Sequence, residues 1–231
     1  MNVLDHLFNF NIEKIIKNKR FKMANISSVN LSDKKWNESS AGIVAIGVYE
    51  DKSFTSLAKE INDYSGGALE NALKIGDVKA KNGEVHLFYV NQQRIMLLGL
   101  GKKEEFDSNR SRLVAGKASK TAIKKKIGSV AIECFSSDDK ICQALGEGLV
   151  LGSYQFLDYK TNKDKHFELE SAIVLGCDNK NVHIGASIAN AVCLAKDLGN
   201  HPGNYSTPSK LASTAKEIAD EGDMRITVFE R

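Results

Sequence analysis

From residue 26 onward, short apolar runs alternate with longer stretches whose apolar positions recur every three or four residues. This alternation predicts an α/β domain with a largely parallel or mixed sheet. Ile26 to Leu31 reads as a weak strand, and Gly42 to Val48 (GIVAIGV) as a strand buried on both faces. Ser56 to Tyr64 and Gly67 to Ile75 read as two short helices broken at the Gly66-Gly67 pair. Glu84 to Val90 and Arg94 to Leu100, separated by Asn91, Gln92 and Gln93, predict an antiparallel hairpin. Ser108 to Lys126 follows as a helix with Asp107 or Ser108 available as its cap, and Ala115, Ala118 and Ala122 form a small-residue face suited to close packing. Ser129 to Phe135 (SVAIECF) is a further strand. A helix then starts near Ser137 and buries Ile141, Leu145 and Leu149, and Ser171 to Leu175 closes the domain as its last strand. The core is expected to contain Val44, Ile46, Leu87, Leu97, Leu98, Ile132 and Val174.

A long helix is predicted from about Asn181, with Ile184, Ile188, Ala191, Ala195 and Leu198 on one face and Gly199 as its left-handed terminator. Asn200 to Pro208 holds both prolines of the chain and reads as a domain boundary. Thr207 and Pro208 form an N-cap and N1 pair opening a helix to about Glu221, and Arg225 to Phe229 (RITVF) reads as one more strand. One helix and one strand cannot close a core, so residues 208–231 read as the start of an incomplete second α/β domain, with Leu211, Ile218, Ile226 and Val228 partly exposed. The expected divisions are an extension over 1–25, an α/β domain over 26–178, a linker helix and boundary loop over 179–207, and the second domain from 208. Residues 1–22 mix Leu7, Phe8, Phe10, Ile12, Ile15 and Ile16 with Lys14, Lys17, Lys19, Arg20 and Lys22, keep no single apolar helical face, and precede Met23. A targeting peptide or a membrane-surface helix has such a composition, but Asp5 and Glu13 interrupt its basic character, and a mis-assigned start or a frayed, disordered extension is the expected reading.

Composition excludes classes without selecting a function. The 231 residues are 42% hydrophobic and 26% charged, the values of an ordinary globular chain. Lys+Arg 32 against Asp+Glu 29 leaves a net charge of +3, too balanced to demand a nucleic acid or an anionic membrane. No stretch approaches the roughly 20 predominantly apolar residues of a membrane span. Cys134, Cys142, Cys177 and Cys193 form no C-x-x-C pair, so neither a zinc knuckle nor a redox motif is legible, and they read as small buried hydrophobes in a reducing, cytoplasmic setting.

Candidate chemistry is thin. Gly99-Leu100-Gly101-Lys102 follows a strand and precedes a helix, yet lacks the spacing of a dinucleotide loop or a P-loop, and reads as a sharp turn at a sheet edge. Gly146, Gly148 and Gly152 lie within a helix and imply close contact with a neighbour. His6, His86, His166, His183 and His201 have no ligand spacing, and no G-x-S-x-G elbow is present. Between Lys102 and Lys126, nine Lys or Arg face three Asp or Glu, and Arg110, Lys117 and Lys124 recur every seven residues. Such a row can track a phosphate backbone, although a solvated helix face has the same composition and no aromatic residue is interleaved. No catalytic, cofactor-binding or metal-binding residue is assigned.

Three segments together resemble the cytosol (leucyl) aminopeptidase family, the M17 peptidases. Arg94-Ile-Met-Leu-Leu-Gly-Leu-Gly-Lys102 resembles its R-x-x-L-x-G-L-G-K strand and turn. Glu147-Gly-Leu-Val-Leu-Gly-Ser-Tyr-Gln-Phe156, continuing to Tyr159-Lys160-Thr161, resembles E-G-x-x-L-G-x-Y-x-F…Y-K-T. Ala195-Lys-Asp-Leu-Gly-Asn-His-Pro-Gly-Asn204 through Thr207-Pro208 resembles A-R-x-L-x-N-x-P-x-N-x-x-T-P, with Gly203 where Ala is usual. The likeness runs from about residue 26 to 231 and leaves residues 1–22 without counterpart. It implies a macro-domain-like mixed sheet flanked by helices, joined by a long helix to a peptidase domain. That domain holds two divalent metals, zinc or manganese, and releases N-terminal amino acids, often leucine, from peptides in a homo-hexamer. The family's G-K-G-x-x-x-D-S-G-G and N-T-D-A-E-G-R segments, which carry metal ligands and catalytic groups, have no match in this chain. The resemblance therefore implies the non-catalytic N-terminal portion of a leucyl aminopeptidase-like metallopeptidase. A ligand-binding macro-like module and a DNA-binding domain using helix 108–126 are the alternatives.

Overall fold

The computed structural model describes residues 26, 28–162 and 166–229; the expectations for residues 1–25 lie outside these. Six strands and six α-helices form among the described residues: β1 (Ser28–Ser32), β2 (Ile43–Tyr49), α1 (Ser56–Tyr64), α2 (Ala68–Ile75), β3 (Val85–Val90), β4 (Gln93–Gly101), α3 (Ser108–Lys124), β5 (Ser129–Glu133), α4 (Asp139–Ser153), β6 (Ser171–Leu175), α5 (Asn181–Asn200) and α6 (Pro208–Glu221). The sheet order is β1-β6-β5-β2-β4-β3. Every neighbouring pair is parallel except β3 against β4, so the sheet is mixed, as its sequence pattern predicts.

The twofold alternation of side chains along each strand divides the core into two layers. On one face Ile43, Ala45, Met96, Leu98, Ile132 and Val174 pack with residues of α3, α4 and α5. On the other, Val44, Ile46, Val48, Ile95, Leu97 and Ala131 pack with Trp36 and with Ala58, Ile61, Leu69 and Leu73 of α1 and α2. All of the expected core residues are buried except Leu87, which is half-buried because its strand is the sheet edge and pairs only with β4. The hairpin closes through two residues, Asn91 and Gln92, both at positive φ (44° and 67°), while Gln93 pairs with Val90. Two left-handed central residues give the turn a twist that matches its flanking strands.

Helices α3, α4 and α5 lie close enough for backbone contact. A Cβ added to Gly148 would stand 2.3 Å from the Arg112 carbonyl oxygen, and one on Gly185 would stand 1.9 Å from that of Gln143. Two buried hydroxyls fasten the first pair: Ser111 donates to the Ile141 carbonyl at 3.1 Å and Ser119 to that of Leu149 at 2.8 Å. This close approach selects a buried face of α5 other than the one that carries Ile184, Ile188 and Ala191. Val182, Gly185, Ala186, Ala189 and Cys193 are buried, whereas Ile188 and Ala191 face solvent. Only small side chains fit a helix pressed against the α4 backbone, so residue size rather than apolarity selects the face.

Three further corrections concern ends of elements. Helix α5 runs through Gly199 to Asn200 and stops at His201, whose extended backbone precedes Pro202; its N–H bonds to the Asp197 carbonyl. Ile141 is half-buried at the exposed start of α4. Residues 225–229 form no strand, because they pair with neither edge strand of the sheet, β1 or β3, and a lone extended segment is not stable in water. Phe229 is 92% exposed there. Leu211, Ile226 and Val228 are exposed as expected, and Ile218 is half-buried. No helix among the described residues is long and apolar enough to cross a membrane.

Candidate functional site

Connections leave β2 toward β4 and β5 toward β6, in opposite directions across the sheet. Parallel sheets open a crevice at the carboxyl ends of strands where connections diverge in this way. Here it measures about 360 Å³ and is lined by the turn after β1, the start of α1, and the ends of β5 and β6.

Glu133 ends β5 inside this crevice and is 6% exposed. One of its oxygens accepts the Leu57 backbone N–H at 2.8 Å, and the other lies in very short contact with the Thr55 hydroxyl. The same hydroxyl is 2.9 Å from the Gly47 carbonyl oxygen. A hydroxyl has one hydrogen to give. A protonated Glu133 resolves the network: its O–H donates to Thr55 and Thr55 donates to Gly47. Burial raises the Glu133 pKa, and the hydrogen bonds only partly oppose it. In sequence Glu133 is legible only as the one acid inside the apolar run Ser129 to Phe135.

The start of α1 is thus occupied by the chain's own carboxyl, and an incoming phosphate would have to displace it. Asp33, Lys34 and Lys35 line the mouth, and Trp36 donates to Glu60 at 3.1 Å. Gly99 and Gly101 form no cradle either. A Cβ on Gly99 would stand 2.1 Å from the Lys81 carbonyl oxygen, and Gly101 sits at φ 79° beneath Arg110 and Asn82. The loop is a packed turn.

Three of the four cysteines converge, which their spacing does not suggest. Cys134 follows β5, Cys142 lies in the first turns of α4, and Cys177 follows β6; their sulfur atoms all lie within 4.8 Å of one another. Among the described residues this is the one group of three or more His, Cys, Asp or Glu whose donor atoms converge. No described histidine joins such a group; His86 is instead 2.8 Å from Glu84. No group of three or more carboxylates converges among the described residues, so these do not fit the dinuclear centre that the resemblance implies for the peptidase domain.

The basic helix is partly neutralised. Arg110 pairs with Glu105, and Arg112 pairs with the buried Glu147 at 2.6 Å, while Lys117 and Lys124 remain exposed. The row Arg110, Lys117, Lys124 therefore loses its first member to an ion pair.

Two of the segments singled out in the sequence meet at the end of the sheet domain. Tyr154 donates to Asp197 at 2.7 Å, Asn200 donates to Tyr154 at 2.9 Å, and the Lys196 ammonium lies 3.8 Å from the Tyr154 ring centre. The His201 ring packs at 4.0 Å on Tyr205 and at 5.1 Å against Phe156, and its Nδ1 is 2.8 Å from the Tyr159 hydroxyl. Residues 45–163 match the cytosol aminopeptidase family, N-terminal domain. The chain belongs to the cytosol aminopeptidase family. Two bacterial members named "probable cytosol aminopeptidase" are each 31% identical to it. The protein of Alkaliphilus metalliredigens aligns over 82% of this chain and 42% of its own length. The protein of Geotalea uraniireducens aligns over 82% and 41%. The chain thus spans about two-fifths of the length of these relatives. The fold is shared with a tomato leucine aminopeptidase mutant (TM-score 0.72, 24% identity, 84% of this chain and 42% of that one). It is also shared with the bottromycin maturation enzyme BotP (TM-score 0.67, 20% identity, 83% and 40%). In this member of the cytosol aminopeptidase family, the Tyr154–Asp197 contact ties the end of α4 to the last turns of α5, and the ring cluster ties Phe156 and Tyr159 to His201 and Tyr205.

Proposed function

We propose that this chain is the N-terminal, non-catalytic portion of a leucyl aminopeptidase-like metallopeptidase, which removes N-terminal amino acids from peptides when the whole enzyme is assembled. The observation that carries the reading is the match of residues 45–163 to the family's N-terminal domain, by a chain that spans about two-fifths of its relatives. In this reading the domain covers 26–178, residues 179–207 are the linker, and residues from 208 begin the peptidase domain. Two divalent metals, zinc or manganese, belong to that second domain, the assembly is a homo-hexamer, and the compartment is the cytoplasm. One solved BotP structure is a complex with manganese, which supports a metal in the peptidase half. The sheet domain serves assembly and substrate access, with Tyr154, Asp197 and His201 setting the angle at which α5 leaves it. A ligand-binding module is disfavoured because Glu133 occupies the start of α1, and nucleic-acid binding because Arg110 is already paired.

The test is a paired assay with a leucyl-anilide substrate in the presence of zinc, manganese or magnesium. The 231-residue chain should show no turnover, and the same chain fused to a family peptidase domain should show metal-dependent turnover. Hydrolysis by the 231-residue chain that a chelator abolishes would overturn the reading.

A further inference from the structure

We propose that Cys134, Cys142 and Cys177 form a binding site for a single soft metal ion, of the zinc(II) or copper(I) class, at the carboxyl edge of the sheet. The proposal is independent of the peptidase reading. It starts from geometry. A metal–thiolate bond of about 2.3 Å sets sulfur atoms about 3.8–4.0 Å apart around one tetrahedral or trigonal ion. The Cys134 and Cys142 sulfurs are 3.8 Å apart, and the Cys177 sulfur lies within 4.8 Å of both. An ion therefore fits with side-chain adjustments of a fraction of an ångström and no movement of the backbone.

The three ligands come from three separate segments, two strand-end loops and the first turns of α4, that the fold holds in register. The Cys134 N–H bonds to the Leu175 carbonyl at 3.0 Å, joining the ends of β5 and β6. The Asn179 side chain donates to Asp139 at 2.9 Å, joining the loop after β6 to the start of α4. Cys142 sits in the first turns of α4, where the helix dipole favours a thiolate. Cys134 lines the crevice beside Glu133, so the cluster borders a solvent-open space on one side.

Both the Cys134 and Cys142 thiols are 3.1 Å from the Ser136 carbonyl oxygen, which accepts from them in the neutral state. Burial raises the pKa of both thiols. Coordination releases each thiol proton to solvent, and the ion takes its place. The donor set is soft: thiolates select zinc and copper(I) over calcium, magnesium and manganese. A disulfide is the competing chemistry. It would draw the Cys134 and Cys142 sulfurs to about 2.05 Å and leave Cys177 over.

The experiment titrates the reduced, metal-stripped chain with cadmium(II), and then with zinc(II) in competition, under anaerobic conditions. The expected result is a thiolate-to-cadmium absorption band that saturates at one equivalent and is reversed by zinc. Cys142→Ser and Cys177→Ser should each weaken binding by more than about 100-fold, since loss of even an outer partner of a metal ligand costs 10–100-fold. Cys193→Ser should leave stoichiometry and band unchanged. Should the serine variants fail to fold by circular dichroism, X-ray absorption of the zinc-loaded natural chain decides, with three sulfur neighbours expected. Absence of the band at one equivalent overturns the proposal. So does unchanged affinity in a folded Cys142→Ser or Cys177→Ser variant, or a zinc shell without sulfur.

Discussion

Tyr154 donates its phenolic hydrogen to Asp197 across 2.7 Å and so joins the residue that ends α4 to the last turns of α5. Burial pushes the Tyr154 hydroxyl up to about 12, with the neighbouring carboxyl adding to it, so the group remains a donor at neutral pH. Tyr154→Phe removes this donor and the partner of Asn200 together. The expected loss is about 1.5–3 kcal/mol, the range for a hydrogen bond to a charged group, read from the midpoint of urea unfolding.

Glu133 predicts a pH dependence of definite sign. Its folded-state pKa is raised above the ordinary 4.5 by burial. Between these two values the native state holds a proton that the unfolded chain releases, so stability falls as pH rises from 4.5 through the folded value and is level above it. Glu133→Gln keeps an acceptor for Leu57 and supplies a donor to Thr55 without a charge to bury. The difference between the two unfolding curves, measured from about pH 4 to about pH 8, should widen in favour of the glutamine variant over that window. A flat difference would show that Glu133 is ionised in the fold.

Two glycine-to-alanine changes in helices should move stability in opposite directions. In α4, a Cβ on Gly148 meets the Arg112 carbonyl oxygen at 2.3 Å, so Gly148→Ala forces the helices apart at a cost of about 1–3 kcal/mol. In α5, a Cβ on Gly199 meets nothing within 4 Å. Gly199→Ala should therefore gain up to about 1 kcal/mol from helix propensity. Thermal unfolding of both variants beside the natural chain checks the pair.

Glu147 is buried beneath α3 and is held by Arg112 at 2.6 Å and by Gln143 at 2.8 Å. Arg112→Leu leaves this carboxylate with the weaker partner and should cost about 2–3 kcal/mol. Adding Glu147→Leu removes the stranded charge, so the double variant should recover much of the loss, because an apolar pair can replace a buried ion pair at little net cost. A double-mutant cycle measures the coupling directly.

Much of this architecture is legible along the chain, because it depends on local geometry. The runs Gly42 to Val48 and Ser171 to Leu175 become strands, since buried parallel strands need apolar side chains on both faces. Asp107 and Thr207 cap α3 and α6 because each oxygen reaches an N–H three residues on. The family is legible for a related reason: its motifs are short and contiguous. The site is another matter. Cys134, Cys142 and Cys177 meet only because β5 and β6 are neighbours, and Glu133 reaches Thr55 only because β5 lies beside β2. No periodicity along a segment states which strand will lie next to which. The buried face of α5 fails in sequence for the same cause, since Gly185 matters through the Gln143 backbone that it touches. The unpaired segment 225–229 completes the contrast: its alternation is that of a strand, but a strand exists only where another edge supplies its hydrogen bonds.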